Sequence, residues 1–328
     1  MSRVFVTGGA GFIGRRVIER LADRGDEMVA AVRAPERSAH LRGPAVKLIA
    51  SDLGDVRSLT DAMRGCDGAI HLAGMYRVGI RAAERPAMWD ANVAATERVL
   101  DAAVAAVVGR IVHVSTVNVF GDTKGRVVDE TYRRDLASGF VSYYDETKYR
   151  AHEAAERRAA QGAPIVIVQP GGVYGPGDHA AAGQQLEAAF RGRLRYRALD
   201  DVGLSWVHVD DVAAGIVAAL ERGRAGESYV LAGPAHRLGE AIAIAAGAGG
   251  RRPPRLRVPT SALRLLAPLA RRLPEGASRL LGVPANLDEA LSAAAGVTYW
   301  AASDKAEREL GFRARDLGTG VSDAFAHP

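Results

Sequence analysis

The chain has 328 residues, 48% of them hydrophobic and 25% charged, a balance that suits a globular protein with a sizeable core. A single cysteine, Cys66, excludes an internal disulfide, and without a Cys/His cluster there is no zinc signature and no metal is expected. The net charge of +5 is carried partly by arginine clusters at 191–197 and 251–257, but no binding motif or aromatic interleaving accompanies them, so they read as solvated surface or an anion site rather than a nucleic-acid interface.

"RVFVTGG" reads as a strand and "FIGRRVIERLADRG" as a helix ending at Gly25. No basic-then-apolar leader precedes Val4, and no run reaches the ~18 apolar residues that span a bilayer. A reducing cytoplasmic setting with no membrane partner is therefore expected. "EMVAAVR" and "VKLIASDL" are strands, "VRSLTDAMRG" a helix, "GAIHLAG" a strand and "MWDANVAATERVLDAAVAAV" one long helix. "RIVHVST" is a strand, "YYDETKYRAHEAAERRAAQG" a helix and "PIVIVQP" a strand. Apolar strands without polar alternation suit a parallel sheet covered on both faces. Their alternation with helices implies right-handed βαβ units and a doubly wound α/β sheet.

Beyond Pro170 the pattern loosens. "PGGVYGPGD" reads as a loop from its Gly and Pro content, "VDDVAAGIVAALERG" as a helix capped by Asp210 or Asp211, and "ESYVLAG" as a strand. From about Pro234 helices dominate, broken by prolines at 253, 254, 259, 268, 274 and 284. The expected organisation is a Rossmann dinucleotide-binding domain over 1–170, with 205–233 returning to it. A smaller, mostly helical C-terminal substrate-binding cap is expected from 171–204 and 234–328.

"TGGAGFIG" places Gly8, Gly11 and Gly14 between a strand and a helix. Glycines there permit a tight turn and let a pyrophosphate approach the positive end of the helix. An acid at the end of the second strand would hold a ribose 2′-hydroxyl, whereas an arginine accommodates a 2′-phosphate. "AAVRAPER" has no acid there but offers Arg33 and, one turn later, Arg37, so NADP(H) is the expected cofactor, with NAD(H) as the alternative. Asp52 and Leu53 of "SDL" follow a strand and are candidates to flank the adenine.

In "SYYDETKYR", helical spacing puts Lys148 beside Tyr144, while Tyr143 has only Thr147 at that offset. A nearby ammonium favours a phenolate, which suits an acid or base working near neutrality. Together with "TGGAGFIG", "SDL", "HLAG", "ANVAATERVLDAA", "HVSTVNVFG", "QPGGVYGPGD" and "WVHVDDVAAGI", this pattern resembles the extended short-chain dehydrogenases/reductases of the NAD-dependent epimerase/dehydratase group. The resemblance extends to "SDKAERELGF" near the end of the chain.

The resemblance implies Thr116, Tyr144 and Lys148 as the working triad, with Asn92 supporting it. It implies cofactor contacts from Gly8, Gly11, Phe12, Ile13, Gly14, Leu72, Ala73, Gly74, Tyr144, Lys148, Pro170, Gly171 and Val173, beside Arg33, Arg37, Asp52 and Leu53. Met75, Tyr76, Val117, Asn118, Tyr143, Gly172, Val173 and Trp206 are candidates for the substrate wall. In relatives the helices around 87–108 and 143–161 form a four-helix dimer interface, so a homodimer is expected.

The resemblance also narrows the chemistry. Dehydratases of the group carry an acidic pair after the strand-end Thr, where this chain has Val117 and Asn118. Nucleotide-sugar enzymes usually carry an Arg where this chain has Leu204, although Arg191, Arg193 or Arg195 could compensate, and Gln169 replaces another Arg before Pro170. "VRAPERSAHL" resembles the dihydroflavonol-reductase-like branch, and "HLAGMYRVGIR" and "YWAASDKAERELGF" resemble hopanoid-associated sugar epimerases. The expected activity is NADP(H)-dependent reduction of a ketone or aldehyde on a small, non-nucleotide substrate, or the reverse oxidation. The alternatives are a sugar or nucleotide-sugar epimerase working through a transient ketone, and a non-catalytic NADPH-binding sensor. Asp145, beside the proposed acid, has no sequence explanation.

Overall fold

The apolar runs near the start of the chain form strands whose two faces feed two cores. The computed structural model describes residues 1–270 and 284–326. Seven parallel strands form one sheet in the order β10-β6-β5-β4-β1-β2-β3. They are β1 (Arg3–Thr7), β2 (Glu27–Val32), β3 (Val46–Ala50), β4 (Gly68–His71), β5 (Arg110–Val114), β6 (Ile165–Pro170) and β10 (Ser228–Leu231). On one face Val4 and Val6 pack with Val17, Ile18 and Leu21 of α1 (Phe12–Asp23) and with Ile216 of α7 (Val209–Arg222). On the other face Phe5 packs with Leu59 and Met63 of α2 (Val56–Met63) and with Val99 and Leu100 of α4 (Ala95–Ala105). Burial on both sides is why the strands lack a polar period.

The sheet reverses direction of progression between β1 and β4, which pair through Thr7 and His71 at their C-terminal ends. That switch point is where open α/β sheets leave a crevice for a ligand. β10 sits beyond β6 at the sheet edge, so the chain returns to the first sheet after leaving it.

A second group of short strands gathers around β9 (Gly203–His208). It comprises β7 (Gly172–Tyr174), β11 (Ala235–Arg237) and β13 (Thr298–Tyr299). Over it, α6 (Ala181–Phe190), α8 (Leu238–Ala248) and the helix Leu317–Phe325 enclose a further core around Tyr174 and Trp206. The remaining short strands, β8 (Arg197–Ala198) and β12 (Arg257–Val258), pair with each other, and α9 (Thr260–Ala270) follows β12.

Several local expectations are corrected. "PGGVYGPGD" is not all loop, because Gly172–Tyr174 pairs in parallel with Trp206–His208, a non-local bond that composition does not signal. The α7 cap is the His208 side chain, which accepts the Asp210 N–H at 3.2 Å, while Asp211 binds Arg315 instead. The long helix expected from Met88 onward is interrupted by a π turn over Asp90–Ala94, between α3 (Arg85–Trp89) and α4. Pro268 lies inside α9 rather than breaking it. Pro274, also expected to interrupt a helix, lies outside the described residues.

Candidate active site

The glycine turn is built for a close approach. Gly8 has φ +73°, and a Cβ on it would stand 2.6 Å from the Ala73 nitrogen. A side chain at Gly14 would run into the Gly8 carbonyl. The N-terminal turn of α1 has no side-chain cap and no acidic residue, so its first N–H groups and the positive end of the helix are free for an anion. Residues Gly8, Gly11, Phe12, Ile13 and Gly14 therefore fit a pyrophosphate. Arg15 ties this helix across the crevice by donating to the Pro176 carbonyl at 3.1 Å.

The other expected cofactor contacts border the same crevice. Leu72 and Ala73, just after β4, donate their N–H groups to the Thr7 carbonyl and hydroxyl at 3.2 and 3.3 Å, and Gly74 follows them, exposed. Pro170 ends β6. A side chain at the next residue, Gly171, would strike the Ser205 carbonyl, and Val173 lies one strand further on. Arg33 directly follows β2 and Arg37 lies four residues on; both are exposed and free of ion pairs among the described residues. Asp52 turns its carboxylate to the Gly54 N–H at 2.9 Å, and Leu53 takes φ +64° while its carbonyl accepts Arg98 Nε at 2.7 Å.

The chemical end is organised by α5 (Tyr143–Ala160). Ser142 caps it by accepting the Asp145 N–H at 3.1 Å, acids occupy its first turn and arginines its last. Lys148 donates to the Val114 carbonyl at 3.2 Å, which fixes it at the end of β5, two residues from Thr116. Thr116 caps the short 3₁₀ turn Val117–Phe120 that packs against α5. Its hydroxyl donates to Asn118 Oδ1 at 3.0 Å and accepts the Asn118 N–H at 3.3 Å. Tyr144 is largely buried as a residue, and its hydroxyl has no hydrogen-bond partner among the described residues.

The electrostatics differ from the simplest expectation. Burial, with Tyr76 and Asp145 as lesser causes, raises the Tyr144 phenol well above its usual range. Burial also pushes the Lys148 ammonium down to about 8. Without a cofactor, desolvation thus outweighs any pull of Lys148 on the phenol, and Tyr144 is held protonated.

Asn92 lies in the π turn and does not touch Tyr144. It accepts the Met75 N–H at 2.6 Å and donates to the Met75 carbonyl and Thr147 Oγ1, both at 3.0 Å. It therefore clamps the strand-end loop to α5. Beneath Lys148 lies a polar layer. His71 bridges Thr7 at 2.7 Å and Thr96 at 3.0 Å and stacks on His113 with centroids 5.6 Å apart. Burial first, and Lys148 second, keep both imidazoles neutral, with His71 down to about 3.

The candidate substrate wall divides. Tyr76 is 61% exposed and meets the Tyr144 ring edge-on at 4.8 Å, with Met75 and Tyr143 in the same cluster. Asn118, in the 3₁₀ turn that follows β5, and Gly172, the first residue of β7, are half-buried. Val117 and Trp206 are each 1% exposed and belong to the apolar cores, so neither lines an open pocket. The Trp206 side chain turns inward and donates Nε1–H to the His236 carbonyl at 3.3 Å.

Three features of this region escaped sequence reading. Asp145 is fully buried against Arg134, which donates to its two oxygens at 2.8 and 3.1 Å, and the Val141 N–H adds a third bond. Glu289, in the helix Leu287–Ser292, accepts the Tyr143 N–H at 2.6 Å and so joins the later part of the chain to the start of α5. Asp178, in the "GPGD" turn, keeps one oxygen unpartnered, and burial raises its carboxyl to about 6. A "GPGD" segment signals a turn, so nothing in the sequence marks that carboxylate.

The model of the NAD dependent epimerase/dehydratase family matches residues 4–232. A putative dihydroflavonol 4-reductase of Synechocystis is 33% identical over 69% of this chain, which spans 66% of that protein's length. A 4-hydroxy-2-methyl-3-oxo-4-farnesyl-3,4-dihydroquinoline-1-oxide ketoreductase of Stigmatella aurantiaca is 34% identical over 70% of this chain and 67% of its own. The solved structure of gox2253 superposes with a TM-score of 0.81 at 31% identity, covering 99% of this chain and 97% of that one.

Proposed function

This chain belongs to the NAD-dependent epimerase/dehydratase family, and from that premise we propose that it is an NADP(H)-dependent reductase of a ketone or aldehyde on a small, non-nucleotide substrate. The observation that carries the proposal is Tyr144, its hydroxyl unpartnered among the described residues, one helical turn from Lys148, which is held at the end of β5. The glycine turn and the first turn of α1 would hold the pyrophosphate, Lys148 a ribose hydroxyl, and Arg33 with Arg37 the 2′-phosphate. The chemistry that the bound cofactor supplies is hydride transfer.

Tyr144 then donates its proton to the carbonyl oxygen, which the Thr116 hydroxyl orients after turning from Asn118. A phenol kept protonated by burial suits donation to a developing alkoxide. Lys148 supplies positive charge beside the phenolate left behind, which lowers the cost of that proton transfer. The same groups run in reverse for alcohol oxidation.

Leu204 supports a non-nucleotide substrate. It is half-buried on β9, packs over Gly172 and faces apolar cores, so it offers no charge to a diphosphate. Of the arginines named as substitutes for that cation, Arg191 is paired with Glu187 at 2.9 Å, and Arg193 and Arg195 are exposed on the turn before β8. The same triad also serves epimerisation through a transient ketone, a reading that the family's own description keeps in play. NADPH absorbance separates the two. A reductase consumes NADPH in step with product, whereas turnover at constant NADPH would establish the epimerase. Arg33→Ala should weaken NADPH at least tenfold, as loss of a charge-assisted contact implies, and leave NADH almost unchanged. Equal losses would remove the 2′-phosphate role.

A further inference from the structure

The arginine clusters at 191–197 and 251–257 are far apart in sequence, yet the fold joins them. β8 and β12 pair in parallel, Arg197 opposite Arg257, and the Arg197 N–H donates to the Leu256 carbonyl at 3.0 Å. The Arg251 side chain lies over Gly192. Arg193, Arg195, Arg251, Arg252 and Arg255 are exposed and have no ion pair among the described residues. Exposed apolar side chains flank them in the chain: Tyr196 is 54% exposed and Leu256 63%, and Leu265 of α9, the helix that follows β12, is 82% exposed.

Asp200 and Asp201 border a cleft of about 300 Å³ between β8 and the start of α9. Asp200 holds Arg197 at 3.5 Å and Arg257 at 3.2 Å. The floor of the cleft is thereby neutralised, which disfavours a pocket for a small free anion. Unpaired positive charge is carried instead by the exposed arginines that flank Tyr196 and Leu256 in the chain. That mixture fits an anionic bilayer, where guanidinium groups meet head groups and apolar side chains enter the interface. A nucleic-acid duplex would use the arginines but leave Leu256 and Leu265 in water.

We propose that this face is a peripheral docking surface for an anionic lipid bilayer. It is independent of the reductase reading and needs no membrane-spanning helix. The test is flotation of the full-length protein with vesicles of phosphatidylcholine, alone or mixed with phosphatidylglycerol. Binding is expected only with phosphatidylglycerol present, weakening as salt shortens the Debye length below ~10 Å. Each arginine removed from the face should lower partitioning by about fivefold. Arg252→Glu/Arg255→Glu should abolish it and Leu256→Ser should reduce it, while Arg57→Glu/Arg64→Glu, at α2, should bind as well as the parent. Thermal melts of each variant check that the fold is intact. No binding, equal binding to both vesicle types, or loss in the α2 control would overturn the proposal. Competition by duplex DNA, with Leu256→Ser without effect, would overturn it in favour of a soluble polyanion.

Discussion

At the scale of single residues, burial acts in opposite directions on Tyr144 and Lys148, raising the phenol pKa and lowering that of the ammonium. Tyr144 and Lys148 lie one helical turn apart, so a sequence can pair them. The burial that raises one pKa and lowers the other depends on β5, Tyr76 and the buried histidines, none of them local in sequence. Lys148 carries a testable cost. Its folded-state pKa of about 8 lies below the unfolded value, so keeping it charged below pH 8 opposes folding. That cost, up to about 3 kcal/mol, is relieved as pH rises from 8 toward the unfolded pKa. Lys148→Met should therefore raise the melting temperature at neutral pH while activity collapses, and the gain should shrink above pH 8. In the free enzyme, kcat/KM should fall as pH rises through about 8. Asp145 was a puzzle in the sequence because its partner, Arg134, sits in an irregular loop. Arg134→Leu should destabilise the fold by about 3–5 kcal/mol, since it strands a buried carboxylate. A urea melt shifted by less than about 1 kcal/mol, the value of an exposed pair, would contradict this.

At the scale of elements, apolar runs identified the central strands because burial on both faces leaves a plain signature. The misses came where pairing is non-local. β7 is written in Gly and Val and exists through its pairing with β9, while the α7 cap is a histidine rather than either adjacent aspartate. The π turn in the long helix has no signature in the sequence, yet it holds Asn92 in position to clamp Met75 and Thr147. Asn92→Ala leaves the Met75 backbone groups unpaired and should cost about 1–3 kcal/mol. It should also raise KM more than it lowers kcat, because Met75 and Tyr76 border the site without touching the transferred proton. An unchanged KM would show that the clamp serves folding alone.

For the whole molecule, strand-helix alternation was enough to foresee the doubly wound sheet, and the switch point between β1 and β4 follows from its order. The second strand group was harder to foresee, because β9 is completed by segments from 172 and from 298. Trp89 of α3 and Val104 of α4, with Val107 just beyond it, leave apolar surface exposed where the resemblance to relatives implies a homodimer interface, and we propose a homodimer through these helices. Sedimentation should report a dimer that Val104→Glu dissociates; a monomeric parent protein would end that proposal. The central claim, that buried Tyr144 protonates a carbonyl oxygen during net NADPH consumption, is tested most directly by Tyr144→Phe assayed beside the parent protein. The account predicts NADPH depletion by the parent with a suitable ketone or aldehyde, a loss of about 10²- to 10⁴-fold in the variant, and nearly equal NADPH affinity in both. A variant as active as the parent would contradict it.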